Sequence, residues 1–273
     1  MPQVLECFIQ GKAGDASLCE DGIFTSENFL AVIDGVTSKG EHLFNGAKSG
    51  CAAKNAVLKA LETLEAGVSC AAALDLLNDA LTKAYGDFLQ TARENVCERM
   101  AVCFALYSVK RRELWCFGDC QCMINGVLHK HEKEFDTVMS AVRALALETA
   151  LASGADEASF YENDVGRKFI MPLLEKEALF VNRPGRFGFD MLDGISRPLY
   201  ERAKAYRLSF GDELILASDG YPQLCRTLTQ SEAELERVLS EDPLCYKSYM
   251  STKGIKSGNL SFDDRAYLKF IID

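Results

Sequence analysis

The chain has 273 residues, 48% of them hydrophobic, and its 30 basic and 40 acidic side chains leave a formal charge of −10. That length and apolar content fill a substantial core and exclude global disorder, while the negative balance, with no basic patch against it, opposes binding to nucleic acid or an anionic membrane. The longest uncharged apolar stretches, such as residues 101–109, reach about half the length of a membrane-spanning helix, and no basic-then-apolar leader opens the chain, so a soluble, unexported protein is expected.

In chain order, residues 3–9 (QVLECFI) and 28–34 (NFLAVID) are short, aliphatic or aromatic, and bounded by Gly, Asn or Asp, which predicts strands. From Asn45 to about Val96 there is no proline, and alanine and leucine recur at helical spacing with a break at Gly67 to Ser69. Two long helices are the reading, with small residues (Ala47, Cys51, Ala56, Ala71, Ala72, Ala73) suited to lying close on a sheet. Residues 101–109, 112–118 (RELWCFG) and 121–128 (QCMINGVL) then follow so closely that antiparallel meander pairing is expected. Residues 138–153 are helical in pattern, and "VNRPGRFGFDMLDG" is turn-rich, an irregular excursion within about 154–206. A strand signal returns at 213–218 (ELILAS), Ser231 and Glu234 suggest a capping box for a helix to about Ser240, and 266–272 (AYLKFII) is a final strand. With no linker, repeat or low-complexity segment, the order predicts one α+β domain over residues 1–273, helices covering sheet faces.

Eleven cysteines, odd in number and scattered, fit reduced thiols in a cytoplasmic protein better than a disulfide framework. Cys116, Cys120 and Cys122 are the one cluster that hints at zinc, but they lie in a strand, turn and strand with no matching second pair, so buried thiols are preferred to a metal site. His129 and His131 follow on a strand end, where surface positions are the commoner outcome.

The chemistry sits where apolar runs end on carboxylates. "FLAVIDGV" ends on Asp34 and Gly35, "LILASDGY" on Asp219 and Gly220, "WCFGDC" on Asp119, and in "NLSFDDRAYL" Asp263 and Asp264 open the last strand. Any one Asp-Gly is an ordinary turn, and four occur here, at 21–22, 34–35, 193–194 and 219–220. Jointly they are different. Acids fixed at the edge of a core are the oxygens that hard divalent cations take: a carboxylate can bridge two ions and a neighbouring backbone carbonyl can add a ligand.

The order Glu20 and Asp21, "FLAVIDG", two helices, "GDCQCMINGVL", "LSFGDELILASDG" and "DDRAYLKF" resembles the metal-dependent protein phosphatases of the protein phosphatase 2C type over nearly the whole chain. The resemblance implies a four-layer α-β-β-α sandwich, two antiparallel sheets flanked by helices, with two Mg²⁺ or Mn²⁺ ions at one end. By the resemblance, Asp34 bridges both ions and the Gly35 carbonyl serves one of them. Glu20 serves that same ion directly or through water, while Asp219 and one acid of the 263–264 pair serve the other. Asp263 is preferred over Asp264, because the first member of the family's closing pair is the ligand and adjacent strand residues face opposite ways. Asp119 resembles the family's acid near an additional, weaker metal position. The implied reaction is hydrolysis of phosphoserine or phosphothreonine in proteins, with Asp34 and Asp219 as its central residues and a water held between ions about 3.5–4 Å apart as nucleophile. No cysteine phosphate loop and no phospho-aspartate motif competes with it.

Several positions depart from the pattern. The arginine that grips substrate phosphate in the fullest signatures is Ala16 here, and Lys12 or Lys39 are its candidate substitutes. Val36, Thr37 and Ser38 replace the small or histidine residues after Asp-Gly; Thr37 and Ser38 are either hydrogen-bonding groups for metal waters or phosphate, or plain turn residues. Gln223 stands where an acid shared with Asp119 is expected, which counts against a third ion, and Ala266 stands for a Thr or Ser. These losses leave two other readings open: a phosphatase-shaped module that binds and regulates a partner, such as a kinase or regulatory protein, and a phosphatase of small metabolites.

Overall fold

The computed structural model describes residues 2–37 and 39–273. Two five-stranded antiparallel sheets form its centre. The first contains β1 (Gln3–Gln10), β10 (Arg265–Ile271), β9 (Glu213–Ala217), β6 (Gln121–Ile124) and β7 (Val127–His129), in that spatial order. The second contains β2 (Asp21–Thr25), β3 (Phe29–Gly35), β4 (Val102–Ser108), β5 (Glu113–Phe117) and β8 (Lys204–Arg207).

The FLAVI run has no polar alternation because both of its faces are covered, as in sheets sandwiched between other layers. Leu30 and Val32 point between the sheets, where they join Ala105, Tyr107, Leu214, Leu216, Leu268 and Phe270. Phe29, Ala31 and Ile33 point the other way, onto Ala53, Val57 and Leu61 of α1 (Ser49–Leu61) and Leu74, Leu77 and Leu81 of α2 (Cys70–Tyr85). β9 repeats the arrangement in the first sheet: Leu214 and Leu216 face inward, while Ile215 and Ala217 lie under Tyr221, Leu224 and Leu228. Leu228 opens α6 (Leu228–Glu241), so helices and their leads flank both sheets in an α-β-β-α order.

Three more helices complete the described chain: α3 (Leu89–Glu94), α4 (Glu134–Ala152) and α5 (Val165–Leu174). α4 and α5 join through Phe135, Met139, Ile170 and Leu174. Arg143 of α4 is fully buried and holds this unit together. Its guanidinium donates to Asp164, the residue that caps α5, and to the carbonyls of Leu244, Cys245 and Ser251. A buried charge is tolerable only when its donors are filled in this way.

Some element boundaries differ from the sequence reading. α1 begins at Ser49 rather than near Asn45, and α4 at Glu134 rather than residue 138. The Ser231–Glu234 capping box is displaced by one turn. Thr227 is the N-cap and accepts from the Gln230 amide, while Ser231 is buried inside α6, its hydroxyl donating to the Thr227 carbonyl and accepting from the Cys225 amide. The stretch 154–206 holds α5, short 3-10 turns and β8.

Candidate active site

The antiparallel register of β2 and β3 places Asp21 opposite Asp34, with Glu20 and Gly35 beside them at one end of the sheet. β5 ends at Phe117, and Gly118, in a left-handed conformation at φ 94°, turns the chain into Asp119 and on to β6 in the other sheet. A Cβ at Gly118 would overlap the Cys103 side chain, so only glycine fits that turn. On the first sheet, Asp219 follows β9 and Asp263–Asp264 precede β10. The Ser218 amide and hydroxyl, tied to the Ala266 carbonyl and amide, keep the two ends side by side. Glu20, Asp34, Gly35, Asp119, Asp219, Asp263 and Asp264 thereby line a single cavity of about 760 Å³.

The acids repel one another there. Burial, then the charges of Asp219, Asp21, Asp119 and Asp263, push the Asp34 carboxyl well above the ordinary range. Burial, Asp263 and Asp119 push Asp219 up to about 7, against Lys253 and Lys133. Asp21, which the sequence reading quoted but gave no role, is also driven well up by burial and by Asp263, Asp264 and Asp219, despite a hydrogen bond from Ser218. Asp119 and Asp263 go the other way. Burial opposes their charge, but Lys133 outweighs it at Asp119, 2.8 Å away, and Lys253 with Lys12 outweighs it at Asp263.

The two members of the closing acid pair have different surroundings. Asp264 accepts from the Lys12 amide at 2.7 Å, the Glu20 amide at 3.2 Å and the Lys12 ammonium at 2.9 Å, and its side chain is 4% exposed. Asp263 is 14% exposed, opens to the cavity, and meets Lys12 at 3.5 Å and Lys253 at closer range. Asp264 therefore brackets the Lys12–Glu20 loop, and Asp263 is the one turned to the other acids.

Glu20 is held through Oε2 by Lys12 at 3.2 Å and by the Thr37 hydroxyl. Its Oε1, packed against Gly50, is buried with no hydrogen-bond partner among the described residues, and Asp21 Oδ2 is in the same condition. Ser38 lies outside the described residues. Ala16 is exposed in a short 3-10 turn, and Gln223 is exposed and away from the cavity.

The cavity's donors suit a hard divalent cation: they are carboxylate and carbonyl oxygens, Glu20 Oε1 is buried without a partner among the described residues, and Asp34 faces four other acids. Among the described residues, no three His, Cys, Asp or Glu side chains are drawn together as a finished metal shell. The ammonium groups of Lys12, Lys133 and Lys253 stand among the acids instead. Sequence reasoning named Lys12 but missed Lys133, Lys253 and Asp21, since a lone lysine on a connection carries no spacing signal. Cys116 and Cys122 face each other across the two sheets at 3.7 Å and, like Cys120, are buried free thiols.

No family model and no curated protein matches the chain. Among solved structures it is similar to the serine/threonine phosphatase PstP/Ppp of Mycobacterium tuberculosis, at 16% identity over 98% of this chain and 97% of that one, with a TM-score of 0.49. It is similar to the catalytic domain of PstP in complex with two manganese ions, at 14% identity over 100% of both chains, again with a TM-score of 0.49. PppA, a component of T6SS in Pseudomonas aeruginosa, gives 15% identity over 98% and 96% and the same TM-score of 0.49.

Proposed function

We propose that the chain is a divergent, Mg²⁺- or Mn²⁺-dependent protein phosphatase of the 2C type, hydrolysing phosphoserine or phosphothreonine esters in proteins. Residues 1–273 would form one such unit, with 154–206 as an insertion. The observation that carries the reading is Asp34: a half-buried carboxylate at the end of β3, lining the cavity and raised well above its usual pKa by desolvation and by four other acids. A folded protein keeps so unfavourable a group where a cation is to neutralise it.

In this reading Asp34, the Gly35 carbonyl and Glu20 would hold one ion, and Asp34, Asp219 and Asp263 the other. Asp119 is tied to Lys133, and Gln223 adds no acid beside it, which limits the set to two ions. When bound, the ions supply charge neutralisation at the phosphate and activation of water. The chain's own residues orient and enclose. Lys12 and Thr37 fix the Glu20 carboxylate, and Asp264 fixes Lys12 in turn. Gly35 and Gly50 allow the backbones of β3 and α1 to touch, because a Cβ at either would collide with the other's backbone or with Glu20. The Ser218–Ala266 pair keeps Asp219 against Asp263.

One observation favours a second reading, a phosphatase-shaped regulatory module: Lys12 and Lys253 already neutralise Asp263, and Lys133 neutralises Asp119. Turnover of p-nitrophenyl phosphate with Mn²⁺, with and without chelator, separates the two. The hydrolase reading expects metal-dependent turnover that Asp34→Ala and Asp219→Ala abolish. Equal background rates in all three proteins would support the regulatory module. No helix among the described residues is long and apolar enough to cross a membrane. A cytoplasmic signalling phosphatase opposing a kinase is the setting we propose.

A further inference from the structure

The loss of an arginine at Ala16 leaves open how the cavity would grip a phosphate. Of the two lysines considered as substitutes, Lys12 is committed: its ammonium meets Glu20, Asp263 and Asp264, all within 3.5 Å. Lys133 and Lys253 are committed in the same way, to Asp119 and Asp263. Lys48, Lys130 and Lys256 also line the cavity but are exposed to water, and Lys130 donates to the Pro222 carbonyl at 3.0 Å.

Two cations differ from these. Lys39, just past β3, is half-buried, and its ammonium donates to the Thr37 carbonyl at 2.8 Å. Arg167, in the first turn of α5, is half-buried, and its Nη1 donates to the Thr252 carbonyl at 2.7 Å. Neither forms an ion pair among the described residues, in a chain of charge −10 and beside a cavity crowded with acids. Burial presses Lys39 toward its neutral form, and Arg167 and Lys253 add to that pressure against the pull of Glu177 and Asp136. Two partly desolvated cations that line one cavity, and that no carboxylate meets in an ion pair among the described residues, are a site for an anion.

We propose that Lys39 and Arg167 form the phosphate-binding subsite of this cavity, taking over, from the loop after β3 and from the first turn of α5, the task of the arginine absent at Ala16. The chemistry fits a tetrahedral dianion. Arg167 keeps planar guanidinium donors beyond the one given to Thr252, and Lys39 keeps two ammonium hydrogens beyond the one given to Thr37. The ligand class is a phosphomonoester dianion or inorganic phosphate. The phosphate would lie between this pair and the carboxylates, which reach the same cavity from the strand ends. The subsite rests on the hydrolase reading only for the ester that brings the phosphate, since phosphate binding needs no turnover.

The test is calorimetric titration of inorganic phosphate into chelator-treated protein, for the wild type, Lys39→Gln, Arg167→Gln and Arg167→Lys, each checked for a native circular dichroism melt. Removing a charge-assisted contact predicts about a tenfold or greater loss of affinity in either Gln variant, and partial recovery in Arg167→Lys. A parallel series with Mn²⁺ and p-nitrophenyl phosphate predicts a rise in KM larger than the fall in kcat. A wild type that binds no phosphate, or equal affinities in all four proteins, overturns the subsite. Should Arg167→Gln fail to fold, Lys39→Gln decides alone. Phosphate binding lost in the variants while no protein turns over ester supports the subsite and removes the hydrolase reading. Turnover with unchanged KM in the variants does the reverse.

Discussion

In the absence of divalent cations, Asp219→Asn should make the protein more stable, not less. Burial, Asp263 and Asp119 hold the Asp219 carboxyl at about 7, against an ordinary value of 3.8. Each unit of difference is worth about 1.4 kcal/mol, so the ionised carboxylate costs the fold about 4 kcal/mol at most, and about 2 kcal/mol once cavity water screens it. The sign follows from the direction. A folded pKa raised above the unfolded one contributes stability that is complete below about pH 4 and is lost as pH rises through about 7. The wild type loses this contribution over that window, whereas an asparagine has nothing to ionise. Scanning calorimetry in chelator should therefore show the two proteins melting together near pH 4. At pH 8 the variant should melt roughly 4–8 °C higher, from about 2 kcal/mol at 2–4 °C per kcal/mol for a chain of this class. Saturating Mn²⁺ should reverse the order, since only the wild type gains the full linkage term, about 2.7 kcal/mol at a hundred times Kd. A variant that melts below the wild type at pH 8 in chelator, or a gap that does not change with pH, refutes the electrostatic argument.

Arg143→Met should lower stability by about 3–5 kcal/mol, because it strands Asp164 and three carbonyls in a buried setting; a denaturant midpoint within error of wild type would contradict this. Gly35→Ala should cost about 1–3 kcal/mol, since its Cβ meets the backbone carbonyls of both Gly50 and Glu20 and neither is a flexible side-chain end that can move aside; thermal melts read the loss. Ser69→Ala removes the hydroxyl that accepts from the Ala72 amide at the start of α2, and should cost about 1 kcal/mol in urea unfolding.

The elements legible in the sequence are those whose burial is uniform along the segment. The runs that became β3, β4 and β9 are apolar on both faces because each sheet is covered on both, and α1 and α2 announce themselves through alanine and leucine at helical spacing. β2 was missed because Asp21–Thr25 is short and carries only two large apolar residues, Ile23 and Phe24, both partly buried. β8 is a polar edge strand, KAYR, held by pairing to β5 rather than by its own hydrophobicity. α5 hides because Pro172 lies inside it, and its start depends on the Asp164 cap that Arg143 braces from α4. In the cavity, the acids Glu20, Asp34, Asp219 and Asp263 were readable because each lies at or close to the end of a strand. Lys133, Lys253 and Arg167 were not, because they arrive from connections and a helix whose placement only the tertiary structure decides.

The distribution of those charges over the two sheets gives the cavity a mechanical character. Asp34 belongs to one sheet, Asp219 and Asp263 flank strands of the other, and Asp119 lies on the connection between the two, so their mutual repulsion acts where the sheets meet. Leu30, Val32, Leu214, Leu216 and Leu268 oppose it from within the inter-sheet core. At the cavity, the counter-charges come from connections: Lys12 after β1, Lys133 before α4, Lys253 between α6 and β10. A lysine side chain changes place by rotation about its own side-chain bonds, so these counter-charges can move without breaking ladder hydrogen bonds. On the proposed reading, exchange of ammonium for a metal ion would thus be a side-chain event that leaves the register setting Asp21 against Asp34 in place.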